Sequence, residues 1–296
     1  YKCYLEYLGN AVYVINTQNN DSIIHECNRI NPDLIHIHYD RHYSICEKVT
    51  CKNIIITSHF GYIQNRTKYR QFGFTDTHWG MIDCLSIEDK NIKISCLSKG
   101  IYDIYKEDGV SDENLFFMPN GVDLNNFHFS SKPKNPDMSI YLAKIQERKK
   151  QHLYQGIPDL FFAGDIEDQK FDRTDTHYLG PLTKSHLYLN LTHFANTVLL
   201  SDGEAHPLSL IEGMACGLGV VCSEEASANL DTTLPFIDVI EYENIKDIEF
   251  VKNKIEENRK KSLGMRKEIR KYTRKNFSWH NLIKKHYLPE INQCPH

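Results

Sequence analysis

The sequence predicts an α/β protein made of two doubly wound domains. Three observations carry this expectation. Short apolar runs alternate with helical stretches through the first half of the chain, and the same rhythm restarts in the second half. Between the halves lies HFSSKPKNPD (128–137), polar and interrupted by proline, which reads as a linker. A chain of 296 residues is also long enough for two domains that each bury a core. Alternating strands and helices imply parallel sheets covered on both faces, which bind ligands at the carboxyl ends of their strands. The expected architecture therefore has a ligand cleft between two such domains.

In the first half, NAVYVINT (10–17) reads as a strand, DSIIHECNRI (21–30) as a helix and DLIHIH (33–38) as a strand. YSICEKVTC (43–51) reads as a short helix and NIIITS (53–58) as a buried strand. KISCLS (93–98) and NLFFMP (114–119) are later strands, with IYDIYKEDG (101–109) a helix between them. The strand candidates of the second half are MSIYLA, DLFFAG, THYLG, NTVLLS, GVVCS and FIDVIEY. Residues 250–288 read as a pair of helices. The domain expectation is 1–130 for the first domain, 136–270 for the second, and a closing helix in 271–296 that crosses back.

Composition narrows the class. Hydrophobic content of 41% with 25% charged residues is that of a globular, water-facing protein. No run approaches the roughly 18 apolar residues of a membrane span, and no signal-like start is visible. Nine cysteines without a C-x-x-C pair give no zinc framework, and Cys27, Cys84, Cys96, Cys216 and Cys222 sit in apolar contexts suited to reduced thiols. A cytoplasmic protein is expected. The net charge is −4, yet 13 Lys and Arg against three Glu fall between Lys252 and Lys285. That excess reads first as a solvated helix face and second as a surface for anions or a membrane. Nothing aromatic is interleaved as single-strand nucleic-acid binding requires, so no nucleic-acid partner is expected.

The segment SDGEAHPLSLIEGMACGLGVV (201–221) carries the chemistry. TVLL (197–200) reads as a buried strand that Ser201, Asp202 and Gly203 turn. Pro207 suits the first position of a helix, and Leu208, Leu210, Ile211, Met214 and Ala215 keep helical spacing until Gly217 and Gly219 stop it. Glu204 is thus placed in a loop before a helix and Glu212 inside it. Pro207 to Glu212 spans roughly 7–8 Å at ~1.5 Å per residue, about the length of a diphosphate between a sugar and a ribose. Free N–H groups at the helix start favour a phosphate. Glu212 lies among apolar neighbours, so a ligand or an ion-pair partner is expected for it.

Glu-x7-Glu followed by GMACGLGVV resembles the donor-site signature of retaining glycosyltransferases of the GT-B fold, family 4. Gly213 stands where that family has Ala, and His206-Pro207 stand where Phe-Gly is frequent. The resemblance implies that Glu204 holds sugar hydroxyls and steadies developing positive charge, and that Glu212 binds the ribose. His206, Pro207, Leu208 and Ser209 would line the donor pocket. The family has Gly-Arg-Leu at the end of the first strand of its second domain and a Lys five positions after the Arg. In IYLAKIQERKKQ (140–151) Lys144 takes the Arg place and Lys149 the Lys place, with Arg148 and Lys150 beside them. These cations would stabilise a leaving diphosphate. His59, ending IIITSH, resembles the family histidine that orients the transferred sugar, and PNGVD (119–123) matches the family's segment at the end of the first domain. The family's first strand and glycine-rich loop would lie upstream of Tyr1.

His36 and His38 share one strand face, but a metal site needs a third ligand and a second shell; no D-x-D sequence occurs either, so no metal and no cofactor is expected. The predicted function is a metal-independent retaining transfer of a hexosyl unit from a nucleotide sugar, GDP-mannose ahead of UDP-glucose, to a glycan, glycoprotein or lipid-linked hydroxyl. The base loop THYLGPLTKSH (176–186) offers no carboxylate to a guanine, though Asp175 adjoins it. The variable loop 60–80, rich in Tyr, Arg, Phe and Trp, suits an acceptor sugar. Two alternatives stand beside this reading: an epimerase or glycan phosphorylase of the same fold, and a non-catalytic sugar-binding module. An Asn-, Ile-, Lys- and Tyr-rich composition suggests the AT-rich genome of a large DNA virus such as a chlorovirus, which would put the protein in the host cytoplasm.

Overall fold

The computed structural model describes residues 2–59 and 74–292. The chain divides into two compact units, residues 1–119 with 279–296, and residues 120–278.

The first unit contains helices α1 (Lys2–Tyr7) and α2 (Asn20–Ile30), then strands β1 (Ile35–Ile37) and β2 (Asn53–Ser58). Helix α3 (Phe74–Cys84), strand β3 (Asn91–Cys96), helix α4 (Lys99–Glu107) and strand β4 (Leu115–Phe117) follow. The four strands pair in parallel in the order β1-β2-β3-β4. Each residue of β2 is buried, as a central parallel strand requires. Asn19 and Ser98 cap α2 and α4 by accepting from the N–H groups of Ser22 and Ile101. The chain returns to this unit at Trp279, where Leu282, Ile283 and Tyr287 pack with Leu5, Ile55, Phe116 and Met118.

The second unit holds β5 (Ser139–Leu142), β6 (Leu160–Ala163), α5 (Lys184–Asn190) and β7 (Asn196–Leu199). These are followed by α6 (Leu208–Ala215), β8 (Gly219–Ser223) and β9 (Ile237–Ile240), then α7 (Ile248–Leu263) and α8 (Arg266–Phe277). Its parallel sheet has the order β6-β5-β7-β8-β9. The order reverses beside β5, so the carboxyl ends of β5 and β7 flank the position where such sheets bind ligands.

Several expectations are corrected. NAVYVINT forms no ladder with any described strand, and Tyr13 and Val14 are both exposed. THYLG contributes only a single bridge, Tyr178 to Phe162. YSICEKVTC is replaced by a 3-10 helix at Asp40–Glu47. The break between units falls at 119/120 and not in 128–137. Hydrogen bonds from His128 N to Tyr188 O (2.8 Å), from Ser130 N to Thr192 Oγ1 (2.8 Å) and from Asn135 N to His193 O (3.0 Å) fasten the supposed linker to the second unit. Likewise α8 belongs wholly to the second unit, and the return begins at 279, after the expected 271.

The basic excess of the last helices is partly structural. Arg266 is 1% exposed, and its guanidinium donates to the carbonyls of Ser130, Thr192, Phe194 and Cys216. Arg270 donates to Ala215, Phe127 and Leu124 carbonyls. The two arginines satisfy carbonyls at the end of α6 that have no partner within the helix.

Candidate functional site

The site begins where β5 ends. Tyr141, fully buried on that strand, donates its hydroxyl hydrogen to Lys149 O and accepts from Leu200 N at 2.8 Å. One phenol thereby ties the basic loop to the end of β7. Glu147–Lys149 make a 3-10 turn, and Lys150 follows in the left-handed region at φ 55°. Gln151, fully buried, donates to the carbonyl oxygens of Lys144 (3.1 Å) and Ala143 (3.4 Å) and so closes the loop on itself.

This turn sends Arg148 and Lys149 to the loop after β7. Arg148 Nη1 lies 2.8 Å from Ser201 Oγ, 2.8 Å from Gly203 O and 3.0 Å from Glu204 Oε1. Lys149 Nζ lies 3.1 Å from the same Glu204 oxygen. The next lysine, Lys150, pairs with Asp202. Only 11% of the Lys149 side chain is exposed. Burial lowers its pKa, the attraction of Glu204 offsets part of that, and the neighbouring guanidinium adds to the lowering. The result is two partly buried cations resting on one carboxylate.

Helix α6 follows the Glu204 loop. Pro207 is its cap (φ −74°, ψ 116°) and not its first turn; the ring provides no side-chain acceptor for the helix's first N–H groups. Leu208 is exposed and Ser209 half-buried, both in that first turn. Glu212 is buried, and its Oε1 pairs with Lys184, the first residue of α5. The partner expected for a carboxylate in an apolar helix is therefore a lysine. Gly213 lets α6 lie close on β7: a Cβ there would meet Thr197 Cγ2 at 2.8 Å. Gly217, at φ +81°, ends the helix in the left-handed conformation that glycine takes at no steric cost.

The expected site residues thus separate into groups. Arg148, Lys149 and Glu204 meet directly, while Ser209 and Glu212 lie on the adjoining helix. His206 is buried against Asn120 and Phe277. Lys144, expected at the diphosphate, instead pairs with Glu167 on an exposed surface, where Gln146 holds that carboxylate at 2.7 Å. With Lys144 turned to Glu167, the guanidinium near Glu204 comes from Arg148. Asp175 is occupied as well: it accepts from Gln155 Nε2 at 2.9 Å and His177 N at 2.8 Å.

His59 lies in the first unit, directly after β2, and is exposed; its N–H donates to Asp40 Oδ2 at 2.9 Å. The surrounding protein still lowers the pKa of its imidazole through desolvation. Asp40 itself is buried, and desolvation raises its carboxyl to about 6. His36 is spent on structure, its two ring nitrogens meeting Tyr287 OH (3.0 Å) and Thr57 Oγ1 (2.6 Å). Among the described residues no cluster of three His, Cys, Asp or Glu side chains could hold a metal ion. The aromatic acceptor loop expected at 60–80 lies outside the described residues up to 73.

Sequence reasoning missed Tyr141, Gln151, Lys184 and Asp40. A tyrosine in an apolar strand reads as core, and the ion pairs of Lys184 and Glu212 join residues 28 apart in sequence. Asp40, next to HIHY, carried a local signal: a carboxylate just after a buried strand.

No protein-family profile matches the chain, and no curated protein matches it. Solved structures do. Sucrose-phosphate synthase from Thermosynechococcus elongatus is 16% identical, with 90% of this chain and 75% of that one covered at a TM-score of 0.71. HepE from Anabaena, solved with UDP-glucose, is 12% identical over 96% of this chain and 86% of its own, at a TM-score of 0.70. A glycosyltransferase from Rickettsia africae is 14% identical, covering 96% and 85% at a TM-score of 0.61. These likenesses establish the GT-B fold, two Rossmann-like domains with parallel sheets, shared with glycosyltransferases.

Proposed function

We propose that the protein is a retaining, metal-independent glycosyltransferase that moves a hexosyl unit from a nucleoside diphosphate sugar to a hydroxyl acceptor such as a glycan. The observation that carries this reading is the convergence of Arg148 and Lys149 on Glu204 at the entry to α6, with Glu212 further along the same helix. Leu208 to Glu212 covers ~6 Å of axis, still the span from a diphosphate to a ribose. Glu204 offsets part of the charge of the two cations through one shared oxygen. A donor diphosphate would replace it, freeing the carboxylate for the sugar's hydroxyls.

The roles follow from charge. Arg148 and Lys149 stabilise the negative charge that grows on the departing diphosphate, where their partial burial strengthens the effect. Glu204 steadies positive charge at the anomeric carbon. Departure and attack on one face give retention, and the leaving phosphate accepts the acceptor's proton. Ser209 and the first N–H groups of α6 add donors for the phosphates. Lys144, paired with Glu167 on the surface, has no part in this reading.

For the donor we favour UDP-glucose over GDP-mannose. Asp175, the carboxylate beside the base loop, is held by Gln155 and His177 and so is not offered to a guanine. Solved structures of HepE contain UDP-glucose or UDP with glucose, which supports the same choice. The test is product analysis with UDP-glucose and GDP-mannose, with and without a panel of glycan acceptors. An acceptor-dependent α-linked product supports the reading. A sugar epimer formed without acceptor, or a sugar phosphate, overturns it in favour of an epimerase or phosphorylase.

A further inference from the structure

His206 lies two residues after Glu204 and directly before Pro207, and is 4% exposed. Its Nδ1 is 2.9 Å from the backbone nitrogen of Asn120, and its carbonyl oxygen is 2.8 Å from Asn120 Nδ2. A backbone N–H only donates, so Nδ1 is the bare acceptor nitrogen and the ring proton sits on Nε2. Burial pushes the imidazole pKa down to about 3, and the ring stays neutral. Its Nε2 is buried with no hydrogen-bond partner among the described residues.

That orphaned N–H carries a desolvation penalty that a phenyl ring would not have. A phenyl would also keep the contact with Phe277, whose ring centroid is 5.4 Å away. What the imidazole supplies and a phenyl cannot is the Nδ1 acceptor. Asn120, for its part, is followed two residues later by Val122, whose N–H donates to Phe277 O at 2.8 Å. The far end of the Glu204 loop is therefore clasped to a segment that is itself bonded to the end of α8. The near end is fixed separately, by Ser201 Oγ between Arg148 Nη1 (2.8 Å) and Gly203 O (3.1 Å).

We propose that Asn120 and His206 form a positioning clasp for Glu204, holding the loop 201–207 so that the carboxylate is presented in one place to the transferred sugar. The proposal rests on the reading of Glu204 as the sugar-binding carboxylate. Asn120 and His206 act through the loop. A displacement of about 1 Å at a reacting group costs on the order of 100-fold in rate, so loss of the clasp acts on turnover and leaves the diphosphate contacts of Arg148 and Lys149 in place.

Three substitutions separate the chemistry. His206→Asn keeps an acceptor near the Nδ1 position, His206→Gln moves it to the Nε2 position, and His206→Phe keeps only the ring. His206→Phe and His206→Gln are expected to lower kcat for hexosyl transfer by about 10–100-fold, with the Kd for UDP within about twofold of the parent. His206→Asn recovers most of that loss. Should the phenylalanine variant not fold, Asn120→Asp, which keeps the backbone donor and loses the side-chain donor, is expected to show the same split. In 15N-histidine-labelled protein, two-bond 1H–15N correlations should show the Nε2–H tautomer unchanged between pH 7 and about 5. Parental kcat in the phenylalanine or aspartate variant overturns the proposal, as does an asparagine variant as slow as phenylalanine. An Nδ1–H tautomer, or a titration near 6.5, overturns the clasp itself. Absence of any transferase activity in the parent protein fails the functional reading instead, while the tautomer spectrum still tests the clasp.

Discussion

Lys149 Nζ sits 3.1 Å from Glu204 Oε1, an oxygen that Arg148 Nη1 also reaches at 3.0 Å. Under the proposed function a donor's diphosphate would compete with Glu204 for these two cations. Glu204→Gln keeps the shape and removes the carboxylate charge. Transfer is expected to fall by about 100-fold or more, the scale of losing one charge-stabilising group. Affinity for inorganic pyrophosphate is expected to rise several-fold, since both cations lose their internal partner. Calorimetry with pyrophosphate checks this, and a weaker titration than the parent's rejects the exchange of partners.

Glu212 should separate the nucleoside from the phosphates. Its ion pair with Lys184 is largely open to water on the lysine side, 59% exposed, so it contributes at most ~1 kcal/mol to folding. Glu212→Ala is expected to raise the donor KM about tenfold with kcat little changed, as loss of a uniform binding contact requires. The variant should then bind UDP scarcely better than pyrophosphate. Retained preference for UDP counts against a ribose role.

Arg266 is expected to govern stability and not chemistry. Its guanidinium spreads over four carbonyl oxygens in a buried position, which a lysine's single ammonium cannot reproduce. Arg266→Lys should cost about 2–4 kcal/mol by denaturant unfolding, with donor affinity at low temperature preserved. A loss below ~0.5 kcal/mol contradicts this account of the segment 128–137.

Acid stability follows from His206. Its pKa falls from 6.5 to about 3 on folding, so between those values the unfolded chain binds the additional proton. The contribution of this residue is present above about 6.5 and lost as pH falls toward 3, at up to about 1.4 kcal/mol per pH unit. Asp40 works in the opposite sense: its carboxyl is raised from 3.8 to about 6, so the folded state gains relative to the unfolded one as pH falls through that window. The pH dependence of unfolding between 4 and 6 should therefore steepen in Asp40→Asn and flatten in His206→Phe. No change in either slope contradicts both assignments.

Most of the fold was legible because its central strands are local signals. NIIITS, NTVLLS and GVVCS are each centred on a short apolar run, and they form the middle of the two sheets. What failed depended on partners. NAVYVINT has strand-forming residues but pairs with none of the described strands, and 128–137 has a linker's composition but is held by Tyr188, Thr192, His193 and Arg266, each more than 50 residues away in sequence. The same limit applies to the candidate site. The Glu-x7-Glu spacing drew attention to the loop and helix on which Arg148 and Lys149 converge, whereas spacing does not encode that Lys144, named beside them, pairs with Glu167 while Arg148 reaches Ser201 and Glu204.

The claim on which the rest depends is that Arg148 and Lys149 receive a nucleoside diphosphate sugar. Calorimetry of the full chain with UDP-glucose and GDP-mannose, beside the Arg148→Ala/Lys149→Ala double variant, tests it most directly. The account predicts saturable one-site binding of UDP-glucose by the parent protein, weakened at least about tenfold in the double variant, with unfolding still cooperative. No binding of either donor, or equal binding by parent and variant, contradicts it.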